Sequence, residues 1–383
     1  MSRQIVSSLL SGVLAAAVLT PGVHGMPQSA AYRPAVVAEG YVYVSTIRPK
    51  DVGEASTIAT QTADVFAQLK ATLEAAGSSM GQLCAVNVSV RSAADFVAMS
   101  DAYRAVFSDA PPARTTIVAW MPSNTKIEIT ATAVPNGARR ETLQPANWGK
   151  NPRPYSYIVK TDDLVFFSGL ISRRGVDDAV VTGTVRTQMD TILDNAATLL
   201  ETAGLTFDDI VAARVYLTSP YDFEEMNEVY GQTFAVEPPA RATAVVDLMS
   251  PDATVEVTFI ASPLPKTVIG GAAAGIPASA AVQAGPRVWL SGVIGDTDKH
   301  PKDVAAQARD IFSRMQVTMK AAGVTNADVV DSTVYIRDWS EWARIDTVYR
   351  EIFPANPPAR NSTAARLVVE PGLVEVLLTA IKK

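Results

Sequence analysis

The chain has 383 residues, 48% of them hydrophobic and 19% charged, and a net charge of −6. That balance describes a folded globular protein, and an acidic chain without a basic run lacks the phosphate-neutralising surface that nucleic-acid binding needs. One cysteine (Cys84) and two histidines (His24 and His300) exclude an intrachain disulfide and a zinc site built from several His and Cys, and allow a Cys-His nucleophile pair only if Cys84 meets His300.

Residues 1–25 read as a signal peptide. Arg3 follows the amino terminus, Ile5 to Leu19 carries no charge, Pro21 breaks the run, and Val23-His24-Gly25 offers small residues for cleavage, with Ser29-Ala30-Ala31 as a second site. The apolar run falls short of the roughly 20 residues that span a bilayer. The expectation is an exported protein, periplasmic or secreted, with no stable membrane insertion after processing.

Next comes a hairpin pattern, "AVVAEGYVYVST", and a helical segment from Gln61 to Gly77, in which Val65, Phe66, Leu69 and Leu73 make one apolar face. A β-branched strand, "LCAVNVSV", and a second helix, "SAADFVAMSDAYRAVF", follow. "APPARTTIVAW" then leads two prolines into Arg114 and a strand, and "KIEITATAV" places Glu128 on an alternating strand. The same order recurs twice. Helices run from Gln188 to Gly204 and from Gln307 to Gly323, and the arginines are Arg241 and Arg360. The glutamates are Glu256 and Glu375, each arginine preceding its glutamate by 14 or 15 residues. A glycine after each first helix suits the left-handed position that ends a helix.

The chain therefore reads as three tandem α+β units of order β-β-α-β-α-β-β, spanning residues 27–138, 150–264 and 272–383. "PNGARRETLQPANWGKNPRP" and "SPLPKTVIGGAAAGIPASA" read as the linkers.

The prolines forbid helix and hold each arginine at a fixed start of strand. A guanidinium so held can grip a carboxylate through two parallel hydrogen bonds, whereas a surface salt bridge is the simpler reading for any single arginine. Each glutamate sits between apolar neighbours and points to the opposite face of its strand. That face is either solvent or a cleft where the carboxylate orients a water. Ser168-Gly169 and Ser291-Gly292 end strands where a glycine admits a ligand to the backbone, and Ser45-Thr46 breaks this pattern. Tyr155 and Tyr32 precede the hairpins, and the third copy has no tyrosine there. Asn227 aligns with Ser100 and Asp346.

Taken together, the strand ending Ser-Gly, the Gln-to-Ala-Gly helix, "MNEVY", Pro-Ala-Arg and the closing Val-Glu-Val resemble the RidA/YjgF family of reactive-intermediate (enamine/imine) deaminases. The resemblance covers nearly all of the chain after the signal and is closest in residues 151–266. It implies a chorismate-mutase-like fold. Family members are typically homotrimers with ligand clefts between subunits, so three fused copies imply an internal pseudo-trimer in a monomeric chain. It also implies hydrolysis of 2-imino acids to 2-keto acids and ammonia, with no metal or organic cofactor. Arg241 would bind the substrate carboxylate, Glu256 would position water, and Tyr155, Ser168, Gly169 and Asn227 would complete the pocket. Arg114 with Glu128, and Arg360 with Glu375, would form the other pairs. Thr46, Ser100 and Asp346 depart from the pattern, so one good site or two mixed ones are expected. Two further readings stand beside this. One is an exported, non-catalytic binder of a small carboxylate or a partner. The other is ribonuclease activity, which the acidic charge and the lack of a histidine pair oppose.

Overall fold

The computed structural model describes residues 32–107, 109–271 and 275–383. The predicted signal peptide lies outside them. No described helix is long and apolar enough to cross a membrane.

Each copy packs two helices on one face of a five-stranded sheet. The long helices are α1 (Ile58–Ala75), α3 (Val185–Ala203) and α5 (Val304–Ala322), and the shorter ones are α2 (Phe96–Val106), α4 (Phe223–Thr233) and α6 (Trp342–Ile352). Thr57, Thr184 and Asp303 cap the long helices by accepting N–H bonds of the first turn. Gly77, Gly204 and Gly323, with φ of 76, 75 and 76°, turn the chain out of them. The apolar stripes expected from the sequence are buried. Val65, Phe66, Leu69 and Leu73 face the first core, Met189, Ile192 and Leu200 the second, and Ile311, Met315 and Met319 the third.

Four strand types recur and carry the site. The serine strands are Tyr41–Ile47, Val165–Phe167 and Arg287–Ile294; the middle strands are Leu83–Val90, Ile210–Leu217 and Val329–Ile336. The arginine strands are Ala113–Val118, Ala240–Val245 and Ala359–Ala364; the glutamate strands are Ile127–Ala133, Val255–Ala261 and Val374–Ile381. Within a copy the order runs from the first hairpin strand through serine, glutamate and middle strands to the arginine strand. The arginine strand is parallel to the middle strand, as its helical crossover requires, and the glutamate strand is antiparallel to it.

This order separates the arginine and glutamate of one copy. Arg241 lies opposite Ala213 of the middle strand, while Glu256 lies opposite Tyr216, three residues further on. Two strand spacings and three residues of rise put their backbones roughly 14 Å apart.

The copies are joined edge to edge. Ala240 of the second arginine strand pairs with Ser279 of the third copy's hairpin, Asp247 pairs with Val118, and Ala244 with Leu367. One apolar cluster mixes all three copies, including Tyr43 and Cys84, Phe166 and Val211, Trp289 and Val330. A polar knot does the same. The fully buried Arg287 guanidinium of copy three meets Asp163 of copy two at 2.5 Å, donates to the Glu39 carbonyl of copy one, and lies 4.3 Å from the Tyr41 ring centre.

The linkers depart from expectation. Each contains a strand, Glu141–Leu143 or Lys266–Gly271, that adds to the edge of the hairpin that follows it. Trp148 of the first linker is buried in the second core, against Gly175, where a methyl group would fall 2.0 Å from the indole. The polar and glycine-rich surroundings hid these edges. The β-branched run Thr267-Val268-Ile269 was the legible signal for the second.

Candidate active site at the junctions between copies

Each serine strand is interrupted where its Ser-Gly or Ser-Thr dipeptide falls. The pairing with the glutamate strand slips between Val44 and Ile47 and between Leu290 and Val293, and in copy two it resumes only at Leu170 opposite Val257. A bulge re-aims the chain away from its own partner. Here it aims at the neighbouring copy. Ser168 Oγ accepts the Arg114 backbone N–H at 2.8 Å, Ser291 Oγ that of Arg241 at 2.8 Å, and Ser45 Oγ that of Arg360 at 2.9 Å. The Gly169 N–H donates to the Arg114 carbonyl at 3.1 Å. The arginine of one copy is thereby clamped to the serine strand of the next.

The glutamates follow the serine strands. Gln61, Gln188 and Gln307 each accept an N–H two residues before a glutamate, from Lys126 (2.7 Å), Thr254 (2.9 Å) and Leu373 (2.9 Å). These buried glutamines fix where each glutamate strand begins. In sequence they served only to mark the helix.

The first cleft combines Arg114 of copy one with Tyr155, Gly169 and Glu256 of copy two around a cavity of about 230 Å³. Arg114 is 3% exposed, and its guanidinium lies 4.8, 5.2 and 5.5 Å from the ring centres of Tyr103, Tyr155 and Phe96. Aromatic faces stabilise the cation without using its in-plane donors. Among the described residues it makes no ion pair. Glu256 packs so closely on Gly169 that a Cβ there would sit 1.7 Å from Oε1. Its carboxylate accepts the Thr116 N–H, and burial raises its pKa to about 8 against the opposing pull of Arg114.

The second cleft pairs Arg241 of copy two with Glu375 of copy three. Glu375 rests on Gly292, accepts the Thr243 N–H and is likewise pushed by burial to about 8. The Arg241 guanidinium lies 4.7 Å from the Tyr230 ring centre and donates to Asn227 Oδ1 at 2.6 Å. Ala278 stands where Tyr155 stands in the first cleft.

The third junction is internally satisfied. Arg360 is ion-paired to Asp346 at 2.9 Å and enclosed by Trp342, Tyr349 and Tyr32. Thr46 replaces the glycine, and its Oγ1 accepts the Ser362 N–H at 3.4 Å, the bond that the glutamates accept in the other two clefts. Glu128 instead binds Arg48 Nε at 2.7 Å.

These placements correct the pairings drawn from sequence. Arg241 with Glu256, Arg114 with Glu128, and Arg360 with Glu375 do not meet, because a middle strand lies between the partners in each copy. Tyr155, Ser168, Gly169 and Glu256 are brought together, but with Arg114, while Asn227 stays with Arg241 in the second cleft. Asp346 binds the arginine directly. Sequence reasoning passed over Arg48, Thr116 and Thr243. It also passed over Arg153 and Arg173, which line the first cleft.

Residues 24–135, 149–262 and 272–382 each match the family described as endoribonuclease L-PSP. A RutC family protein of Saccharolobus solfataricus is 38% identical over 108 residues, which is 28% of this chain and 86% of that protein. The 3-aminoacrylate deaminase RutC of Acinetobacter baylyi is 29% identical, covering 32% of this chain and 97% of the relative. Reactive Intermediate Deaminase A of Arabidopsis thaliana is 30% identical, with 28% and 58% covered. Among solved structures, a chorismatase shares the fold over 78% of this chain and 93% of its own, with TM-score 0.55 and 14% identity. A YjgF/YER057c/UK114 family member from Mycobacterium tuberculosis is 30% identical, covering 30% of this chain and 99% of its own, with TM-score 0.29.

Proposed function

The chain belongs to the endoribonuclease L-PSP family, which includes the RidA/YjgF and RutC proteins, and on that premise we propose that it is a deaminase of reactive 2-imino acids. One observation carries the reading: an arginine free of ion pairs and a buried glutamate with a pKa near 8 line the same cleft. The cleft offers a cation for a substrate carboxylate and, beside it, a proton-transfer group poised near neutral pH.

In this mechanism Arg114 binds the substrate carboxylate in two parallel hydrogen bonds, with the reacting carbon over Gly169. The Thr116 N–H holds one Glu256 oxygen, and the other oxygen holds a water. As the water oxygen bonds to the imine carbon, Glu256 takes its proton, and the C=N π electrons move to nitrogen. Glu256 then returns the proton to nitrogen. Glu256 next takes the hydroxyl proton and passes it to the amine, the C–N bond breaks with its electron pair leaving on nitrogen as ammonia, and the oxygen forms the C=O of the 2-keto acid. No redox partner is needed.

The second cleft keeps the Arg241–Glu375 pair and the stack on Tyr230, with Asn227 bound to the arginine and no counterpart of Tyr155, and the same reading extends to it at a lower rate. The third is non-catalytic in this proposal, because Asp346 and Arg48 occupy both functional groups. The copies close as an internal trimer, a reading supported by the mixed apolar cluster, the Arg287 knot and the three serine-to-arginine bonds. Export after cleavage near residue 25 belongs to the same proposal and is checked by amino-terminal sequencing of protein recovered outside the cytoplasm.

The test generates 2-imino acids in place with an amino-acid oxidase and follows 2-keto acid release against a competing scavenger. The expected result is acceleration by the full chain that falls at least 100-fold in Arg114→Ala and Glu256→Gln. Acceleration untouched by both substitutions would refute the assignment of the first cleft.

A further inference from the structure

The first cleft holds more cationic groups than a monocarboxylate needs. Arg153 and Arg173 of copy two line it together with Arg114 and Glu256. Both converge on one carboxylate. Arg153 makes a bidentate pair with Asp178, Nη1 to Oδ1 at 2.9 Å and Nη2 to Oδ2 at 2.8 Å. Arg173 Nη1 donates to the Asp178 carbonyl at 2.7 Å and lies 3.4 Å from Oδ2. Two guanidiniums sharing one anion leave a surplus positive charge at the mouth, and Arg114 inside adds a second.

The arrangement is braced from the backbone. Asn151 Oδ1 accepts the Arg153 N–H at 3.0 Å and its Nδ2 donates to the Tyr155 carbonyl at 2.9 Å, tying the rim arginine to the tyrosine that covers Arg114. Arg173 bridges to Val180 in a small hairpin that presents Asp178 at φ 58°. The side chains of Arg153 and Arg173 are 22% and 29% exposed, so they are partly desolvated yet reachable from the cleft. In the second cleft the matching positions are Ile276 and Asp296, and Asp296 is already paired with Lys299 at 2.7 Å. The surplus is therefore a property of the first cleft and not of the repeat.

We propose that the first cleft is specific for dicarboxylic substrates, with Arg114 holding the carboxylate beside the reacting carbon and Arg153 and Arg173 holding the distal one. The inference rests on the deaminase reading for turnover but not for binding. A distal carboxylate enters as a second anion beside Asp178, and the pair of guanidiniums divides between them. Bidentate, charge-assisted hydrogen bonds give this contact both strength and direction.

The test has two arms on the full chain. Calorimetry compares binding of 2-oxoglutarate and oxaloacetate with that of 2-oxobutanoate. Kinetics compares imines generated from glutamate or aspartate with those from methionine. Wild type is expected to favour the dicarboxylic member at least tenfold in both arms. In Arg153→Ala/Arg173→Ala the ratio falls to near one through a raised KM, and Arg153→Lys/Arg173→Lys restores part of it. Equal handling of the two classes by wild type, or an unchanged ratio in the double alanine variant, overturns the inference. Turnover of monocarboxylic imines with no dicarboxylate preference refutes specificity and leaves the deaminase reading standing. Selective dicarboxylate binding without turnover of any imine supports specificity and refutes the deaminase.

Discussion

Replacing Gly169 with alanine isolates the geometry on which the first cleft depends. The backbone at Gly169 is not left-handed, so alanine brings no intrinsic strain, and its effect is confined to what the new methyl meets. It would meet Glu256 at 1.7 Å from Oε1, 2.7 Å from Cδ and 3.1 Å from Cγ. Ordinary contact needs about 3.5 Å between heavy atoms, so the carboxylate must withdraw by more than an ångström and release the Thr116 N–H. The fold tolerates this, because the displaced atoms are the far end of a flexible side chain. One buried N–H bond is lost, at a cost of about 1 kcal/mol, and the relief of a desolvated carboxylate opposes that loss. The expected stability change is therefore within about 1 kcal/mol. Loss of a positioned proton-transfer group lowers rate by roughly 100- to 10,000-fold. The chain already contains a version of this change: Thr46 stands at the equivalent place, and Glu128 has turned away to Arg48. The assay is imine consumption by Gly169→Ala at fixed oxidase flux, paired with thermal unfolding. A variant that unfolds like wild type but loses turnover fits the argument. Wild-type turnover would refute it, because the glutamate would then have no need of its seat on the glycine.

Three further expectations follow from the same contacts. Glu256 and Glu375 have folded pKa values of about 8, above the usual carboxylate value, so the native state binds their protons more tightly than the unfolded chain does. Their contribution to stability is full below about pH 4.5 and is lost as pH rises through 8. Glu256→Gln/Glu375→Gln should therefore gain stability over wild type by a few kcal/mol between pH 5 and 9, and parallel pH dependences in denaturant unfolding would contradict this. In turnover, kcat/KM should rise with pH to a plateau above about 8. The limb in kcat should lie higher still, because a bound anion neutralises the Arg114 charge that lowers the Glu256 pKa; a flat profile would remove Glu256 as the proton acceptor. Arg287→Ala should cost about 2–4 kcal/mol, since it strips the cation from a knot that touches all three copies; urea midpoints within error of wild type would show that the copies hold together without it.

The repeat itself was legible because its marks are local. A glycine 16 residues after a glutamine, two prolines before an arginine and a glutamate between apolar neighbours each impose a backbone state that can be read in isolation. The pairing of those marks was not legible. Arg241 and Glu256 are 15 residues apart in sequence and belong to the copy with the most complete motif, so they read as partners. What divides them is the insertion of Ile210–Leu217 between their strands, a long-range property of sheet order. What unites Arg114 with Glu256 is the bulge at Ser168-Gly169, which turns two residues toward another copy. Arg153 and Arg173 were illegible for a different reason. One lies in a segment read as linker and the other in the loop after Ser168-Gly169, where the matching position of copy three is Asp296.

The crossed pairing explains how three fused copies can differ so widely at their junctions. If three identical chains assembled in a ring, every junction would carry the same arginine from one side and the same glutamate from the other. A change at either position would then strike all three sites at once. In a single chain each junction draws on two separately encoded copies, and the changes at the third fall on both sides of it. Thr46 and Arg48 come from copy one, and Asp346 and Trp342 from copy three. Neither side suffices to close it. Thr46 displaces the glutamate from its N–H but leaves a carboxylate that needs the Arg48 cation, and Asp346 neutralises an arginine that would otherwise be buried without a counter-ion. The outcome is a junction in which buried charges are matched within the protein, as burial requires in the absence of a ligand. The first cleft is the opposite case. Its buried arginine is stabilised by aromatic faces and by the nearby Glu256 carboxylate without an ion pair, and burial raises the Glu256 pKa to about 8, so on the proposed function an anionic ligand supplies the missing charge. On the proposed function, the sequence changes that separate the two junctions therefore exchange ligand binding for internal pairing.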